Sequence, residues 1–302
     1  MSNIAPFFPK MSSMPDSLTS PILGIDGHAH VFNRELTLTS GRRYTPDYDA
    51  PLDAYLTQLR LHGLSHGVLV QPSFLGTDNR YLLAALQQAP EQLRGVAVVD
   101  IDSSREQLEQ MAGQGVVGIR LNLMGKPLPD FTEPQWQRLL GHVADLGWHV
   151  ELHRGVVDLP QVIRGLLPFG CKIVIDHFGR PDALSGVEHP AFQALLETGA
   201  TGQVWVKVSA IYRLGGSNQQ NMTFAQAALP LLVKHFGLER LVWGSDWPHT
   251  QHEQDVSFDT VIQQLHALGC ADNVRRALLI DAPQALFGFS VVNSLLQLKP
   301  TP

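Results

Sequence analysis

Eight times along this chain a short, mostly apolar run gives way to a segment of helical length. The runs are 24–32 (GIDGHAHVF), 67–71 (GVLVQ), 93–99 (LRGVAVV), 116–123 (VVGIRLNL), 148–153 (WHVELH), 172–177 (KIVIDH), 204–209 (VWVKVS) and 241–246 (LVWGSD). Near-continuous apolar strands joined by helices are what a parallel sheet covered by helices requires. Eight such units favour a closed (β/α)8 TIM barrel, α/β in class, over an open doubly wound sheet. No GxGxxG or Walker pattern opens any of the helices, which weighs against a nucleotide-binding open sheet.

The connecting helices are expected over 51–64, 79–88, 103–111, 133–146, 158–167, 189–198 and 224–236, with terminal helices over 256–289 broken at Gly269 and Pro283. Pro51 suits a first helical turn, and Ser103 or Ser104 suits a cap. Residues 1–20, rich in Ser and Pro, read as a flexible N-terminal arm, and 21–302 as one barrel domain with C-terminal helices.

A strand alternates its side chains between two faces. In the fourth run Ile119, Leu121 and Leu123 then face the helices, leaving Gly118, Arg120 and Asn122 toward the barrel axis. In the fifth, His149, Glu151 and His153 face inward, and in the seventh Lys207 and Ser209 do. In a β/α barrel, chemistry sits where the strands end. Those ends carry His28 and His30, Gln71, Asp100, Arg120 and Asn122, His153, His177, Ser209 and Asp246. The deeper Glu151 and Lys207 read equally well as satisfied polar groups of the core.

These residue types suit hydrolysis, which needs an activated water, a polariser for the carbonyl and a proton for the leaving oxygen. Asp246 is the expected general base. His28, His30 and His177 are expected to hold the carbonyl oxygen or carry the proton. His28, His30, His153 and Asp246 also form a three-nitrogen, one-oxygen set that suits a single divalent ion, Zn or Mn, with open positions for water and substrate. Arg120, Lys126, Arg180 and Arg213 gather near the strand ends of a chain whose net charge is −6. That concentration of cations suits a small anionic substrate. The overall negative charge gives no field for nucleic acid or an anionic membrane. No run approaches a membrane span and the start carries no signal pattern. Two cysteines, Cys171 and Cys270, suit a reducing compartment, so the expected location is cytoplasmic.

The stretches GIDGHAHVF, VVGIRLNL, KIVIDHFGRPD and RLVWGSDWPH resemble the amidohydrolase superfamily, of the amidohydrolase 2 type. They are most similar to its branch of pyrone-dicarboxylate and sugar-lactone hydrolases, and the resemblance runs from about Ile22 to Phe287. It implies a distorted (β/α)8 barrel that opens lactones or related esters. It implies that Arg120 and Arg180 bind substrate carboxylate, and it brings Lys126 and Gln251 near positions that this branch fills with Arg and Asn. Tyr44, Gln71 and Ser73 line the mouth on the same analogy, and His153 is a substrate contact or a ligand. The pyrone enzymes are metal-independent and carry Tyr where this chain has His153, whereas other lactone branches carry His and use a divalent ion. Both states stay open for this chain. Arg120 stands where two-metal members have a carboxylated Lys, so at most one ion is expected. The implied activity is hydrolysis of a carboxylated lactone resembling 2-pyrone-4,6-dicarboxylate. The alternatives are a metal-dependent decarboxylase of a small acid, a sugar-lactone hydrolase, and a non-catalytic binder on the same barrel. Oligomeric state is not legible in the sequence.

Overall fold

The computed structural model describes residues 21–290, and the expected arm at 1–20 lies outside them. Eight parallel strands follow one another in chain order: β1 (Ile25–Ala29), β2 (His66–Val70), β3 (Leu93–Ala97), β4 (Val116–Asn122), β5 (His149–His153), β6 (Lys172–Ile175), β7 (Val204–Ser209) and β8 (Leu241–Gly244). The ring closes just beyond the strand ends, where Asp246 N donates to His28 O at 2.8 Å and His30 N to Trp247 O at 2.7 Å. Gly244 makes that approach possible, because a Cβ there would lie 2.8 Å from His28 N. Asp26 ties the same seam. Its carboxylate accepts from Ser245 N at 2.7 Å, Ser245 Oγ at 2.5 Å and Tyr55 OH at 3.0 Å.

The helices are α1 (Leu52–Leu61), α2 (Arg80–Gln88), α3 (Arg105–Gly113), α4 (Pro134–Asp145), α5 (Leu159–Leu166), α6 (Pro190–Glu197), α7 (Asn218–Phe236), α8 (Phe258–Ala267), α9 (Asp272–Arg276) and α10 (Ala282–Phe287). Ser104 caps α3 in a reciprocal box with Gln107. A matching box between Ser217 and Gln220 starts α7 six residues before the expected Phe224. The chain breaks at Gly269 as expected. It does not break at Pro283, because α9 passes through a π turn (Ala277–Asp281) into α10, and the wider turn lies just before the proline, whose missing N–H would otherwise interrupt the helix. Among the described residues no helix is long and apolar enough to cross a membrane.

The alternation read from sequence places the core. Ile119, Val150, Leu152, Val204, Val206 and Val208 pack outward against the helices. Inside the barrel, Ile25, Val68, Val96, Val174 and Val242 form an apolar floor, closed by Leu286 and Phe287 of α10. Toward the C-terminal strand ends the interior turns polar, with Arg120, Glu151, Asp176 and Lys207 all buried.

Candidate active site

Two loops carry the site through backbone that most residues avoid. After β6, His177, Phe178, Gly179 and Arg180 have φ of 53°, 57°, 81° and 51°. Left-handed backbone at a non-glycine residue costs roughly 1–2 kcal/mol, so three such residues in one turn need strong anchors. Phe178 supplies one, being fully buried in the outer core. The twist turns His177 and Arg180 to the same cavity. His177 therefore lies on a turn beyond β6, not on the strand as its sequence suggests. Asp246, at φ 59°, is likewise thrown inward beyond β8.

The cavity holds 220 Å³ at the C-terminal mouth of the barrel. Of the residues expected there, His30, Tyr44, Ser73, Arg120, His153, His177, Arg180, Arg213, Asp246 and Gln251 line it. His28 sits one layer beneath, fully buried. Gln71 and Lys126 are not among the lining side chains. The Gln71 amide is turned to Gly76 O and Asp78 O, holding the loop after β2. The Lys126 loop is pinned through its backbone, whose carbonyl accepts from Arg154 Nη1 at 2.7 Å. Asp100 is exposed and lines a separate surface hollow with Asn79 and Ser103.

Asp246 is the centre of the arrangement. Its Oδ2 accepts from Tyr212 OH at 2.7 Å and from Arg213 Nε at 2.5 Å. Its Oδ1 lies 3.4 Å from His30 Nε2, 3.6 Å from His28 Nε2 and 3.9 Å from His177 Nε2. Burial pushes this carboxyl upward, but the Arg213 guanidinium above all holds it well below the usual carboxylate range. It is ionised at neutral pH. Burial drives His177 and His153 well below the ordinary imidazole range, so both are neutral.

Arg120 lines the cavity with part of its guanidinium already committed, since Nη2 and Nε donate to Asp176 Oδ2 at 2.8 and 3.1 Å. Arg180 differs. It is largely withdrawn from water and forms no ion pair among the described residues, and burial and Arg213 both disfavour its charge. Arg43, which sequence reasoning passed over, also reaches the cavity. It donates to Asn122 Oδ1 at 3.3 Å and likewise has no carboxylate partner among the described residues. Its loop has no periodicity to mark it. The only signal was its position beside Tyr44. Tyr212 was missed for the same reason, lying one residue before the expected Arg213.

Three ligand-type atoms converge, His28 Nε2, His30 Nε2 and Asp246 Oδ1. Their separations of 3.3, 3.4 and 3.6 Å match the edges of a tetrahedron with bonds of roughly 2.0–2.2 Å, so the set fits one divalent ion in type and spacing. His153 stands outside this group, its ring 5.5 Å from that of His177.

Comparison with known proteins bears on the family and the fold. A family model described as amidohydrolase matches residues 25–289. The 2-pyrone-4,6-dicarboxylate hydrolase of Comamonas testosteroni is 34% identical over 88% of this chain and 90% of its own. A Pseudomonas putida structure assigned as a 2-pyrone-4,6-dicarboxylic acid hydrolase is 58% identical, covers 90% of this chain and 100% of its own, and superposes with a TM-score of 0.87. An Acinetobacter baumannii structure given the same assignment, with citric acid bound, is 40% identical over 89% of this chain and 100% of its own, with a TM-score of 0.85.

Proposed function

The chain belongs to the amidohydrolase family, and on that premise we propose that it hydrolyses a small carboxylated lactone of the 2-pyrone-4,6-dicarboxylate kind, with Asp246 as general base. One observation carries the reading. A carboxylate held ionised by Arg213 turns its other oxygen toward three imidazoles, in a cavity that also holds two cations without acidic partners, Arg180 and Arg43. Unpaired cations in a partly dry cavity are stabilised by an anionic ligand. The relatives named for a dicarboxylate substrate, one of them with citric acid bound, support the same charge logic.

The chemistry proceeds with the residues present. Arg180 and Arg43 take substrate carboxylate and turn the ring carbonyl toward the imidazoles. Asp246 Oδ1 accepts a proton from water as its oxygen bonds to the carbonyl carbon. An imidazole N–H donates to the carbonyl oxygen as it gains charge. The ring C–O bond then breaks, and Asp246 returns its proton to the departing oxygen. Water has been added across the ester, and the carboxylate is restored. Arg213 and Tyr212 keep Oδ2 occupied throughout, so proton traffic uses Oδ1. A divalent ion held by His28, His30 and Asp246 would polarise the carbonyl and acidify water, and would require the His28 proton on Nδ1 with a free lone pair on Nε2.

A panel of carboxylated and neutral lactones, followed by acid release with and without chelator, tests the proposal. Acid release from the carboxylated members supports it. No acid release from any lactone, with CO₂ release from aromatic acids, would replace it with the decarboxylase reading.

A further inference from the structure

Beneath the cavity lies a charged layer that the hydrolytic steps leave without a task. Lys207 of β7 is fully buried. Its Nζ is in contact with Glu151 Oε2 of β5, 2.9 Å from His28 Nδ1 and 3.6 Å from Asp176 Oδ1. Arg120 closes the far side, with Nη2 2.8 Å from Asp176 Oδ2 and Nε 3.3 Å from Glu151 Oε1. Two basic side chains face two carboxyl groups in this layer, and burial with the neighbouring Asp176 pushes the Glu151 carboxyl up to about 7. Burial first, and the Lys207 charge second, push His28 well below the ordinary imidazole range.

An ammonium only donates. The imidazole nitrogen it bonds must offer a lone pair, which leaves the His28 proton on Nε2. That Nε2 is 3.3 Å from His30 Nε2. The His30 atom offers a lone pair there, because His30 Nδ1 lies 2.7 Å from Val70 O, which only accepts. The hydrogen bonds therefore run one way, from Lys207 to His28 to His30 to Val70.

We propose that Lys207 is the positioning residue of this site: by donating to His28 Nδ1 it holds His28 in its Nε2–H tautomer and makes it a hydrogen-bond donor on the face shared with His30 and Asp246. A third group that sets an imidazole tautomer decides whether the reacting face offers a proton or a lone pair. An oxyanion forming at this face needs the proton. The rival arrangement is specific. Asp176 Oδ1 at 3.3 Å and Glu151 Oε1 at 3.5 Å also face His28 Nδ1. A proton on Nδ1 given to either would leave a lone pair on Nε2, the form that holds a cation.

The tautomer itself stands apart from the lactonase reading, and its consequence for turnover rests on that reading. Long-range ¹H–¹⁵N spectra of the full chain labelled with ¹⁵N-histidine at neutral pH read the tautomer directly, with His28 assigned by the signals lost in His28→Gln. The expected result is a protonated Nε2 and an unprotonated Nδ1. Lys207→Met is expected to lose this pattern and to lower kcat about 100-fold or more. KM should stay within about threefold, since the lost interaction acts on the transition state. Lys207→Gln keeps a donor and should restore the pattern and most of kcat. A wild-type His28 protonated on Nδ1 overturns the inference, as does a Lys207→Met variant with an unchanged spectrum and turnover. The wild-type spectrum decides alone where the buried substitution fails to fold, and equally where no lactone in the panel is turned over.

Discussion

Arg213 Nε meets Asp246 Oδ2 at 2.5 Å, and this contact divides the carboxylate into an anchored oxygen and a working one. In the proposed mechanism it also helps to set the pH range of activity. The proposed mechanism requires ionised Asp246 and neutral imidazoles. Asp246 is held well below the usual carboxylate range and His28, His153 and His177 well below the usual imidazole range, so protonation of any of them lies at unusually low pH. The acid limb that Asp246, His28, His153 and His177 contribute to the kcat/KM profile is expected below the ordinary imidazole range. Arg213→Met removes the largest force holding Asp246 down and leaves burial to push it up. The acid limb should then move upward by about one unit or more. An unshifted limb in this variant would show that another group controls it.

Arg180 should report substrate charge. Arg180→Met is expected to weaken kcat/KM for a carboxylated lactone by about 2–4 kcal/mol, and for a neutral lactone of similar size by far less. Arg43→Met should act in the same direction with a smaller loss, because its side chain is exposed. Equal losses on both substrates would assign these arginines to the fold.

Arg120 has a different burden. Its partners Asp176 and Glu151 are fully buried, and removing the guanidinium leaves them short of a cation. Arg120→Met should therefore lower unfolding stability by about 3–5 kcal/mol in urea titrations. Arg180→Met breaks no such pair and should leave the urea midpoint near or above that of wild type. Equal stability of the two variants would contradict the placement of Arg120 in a structural ion layer.

Metal content separates the two histidine roles. Protein dialysed against Zn²⁺ or Mn²⁺ should retain at most about one equivalent, because the two groups of three potential ligands among the described residues, His28–His30–Asp246 and His28–Asp176–His177, share His28. Any ion held by His28, His30 and Asp246 should be lost in His30→Ala and kept in His153→Ala. Loss in His153→Ala would bring His153 into the ligand group.

The alternation of side chains made much of this site readable before the fold was known. Arg120 and Asn122 had to face inward once Ile119 and Leu123 faced the helices, and both line the cavity. Period-two patterning carries that information without any knowledge of the loops. His177 and Arg180 were legible as residues but not as geometry, because left-handed backbone at non-glycine positions leaves no mark in composition. The contact between Lys207 and Glu151 was beyond reach for another reason. It joins β5 to β7 across the barrel interior, past the intervening β6, and depends on the relative register of all three strands. Lys126 shows the opposite error, since nearness in sequence to a strand end does not say where a loop carries a side chain.

The central claim is that Asp246 Oδ1 activates water against a carboxylated lactone. Asp246→Asn keeps the shape and the acceptor facing Arg213 while removing the basicity. The decisive measurement is the turnover of 2-pyrone-4,6-dicarboxylate, followed by ring-opening absorbance, for wild type and this variant at pH 8. Wild type should open the lactone rapidly, and the folded variant should be slower by about 10³-fold or more. A folded Asp246→Asn protein that opens the lactone at close to the wild-type rate would contradict it.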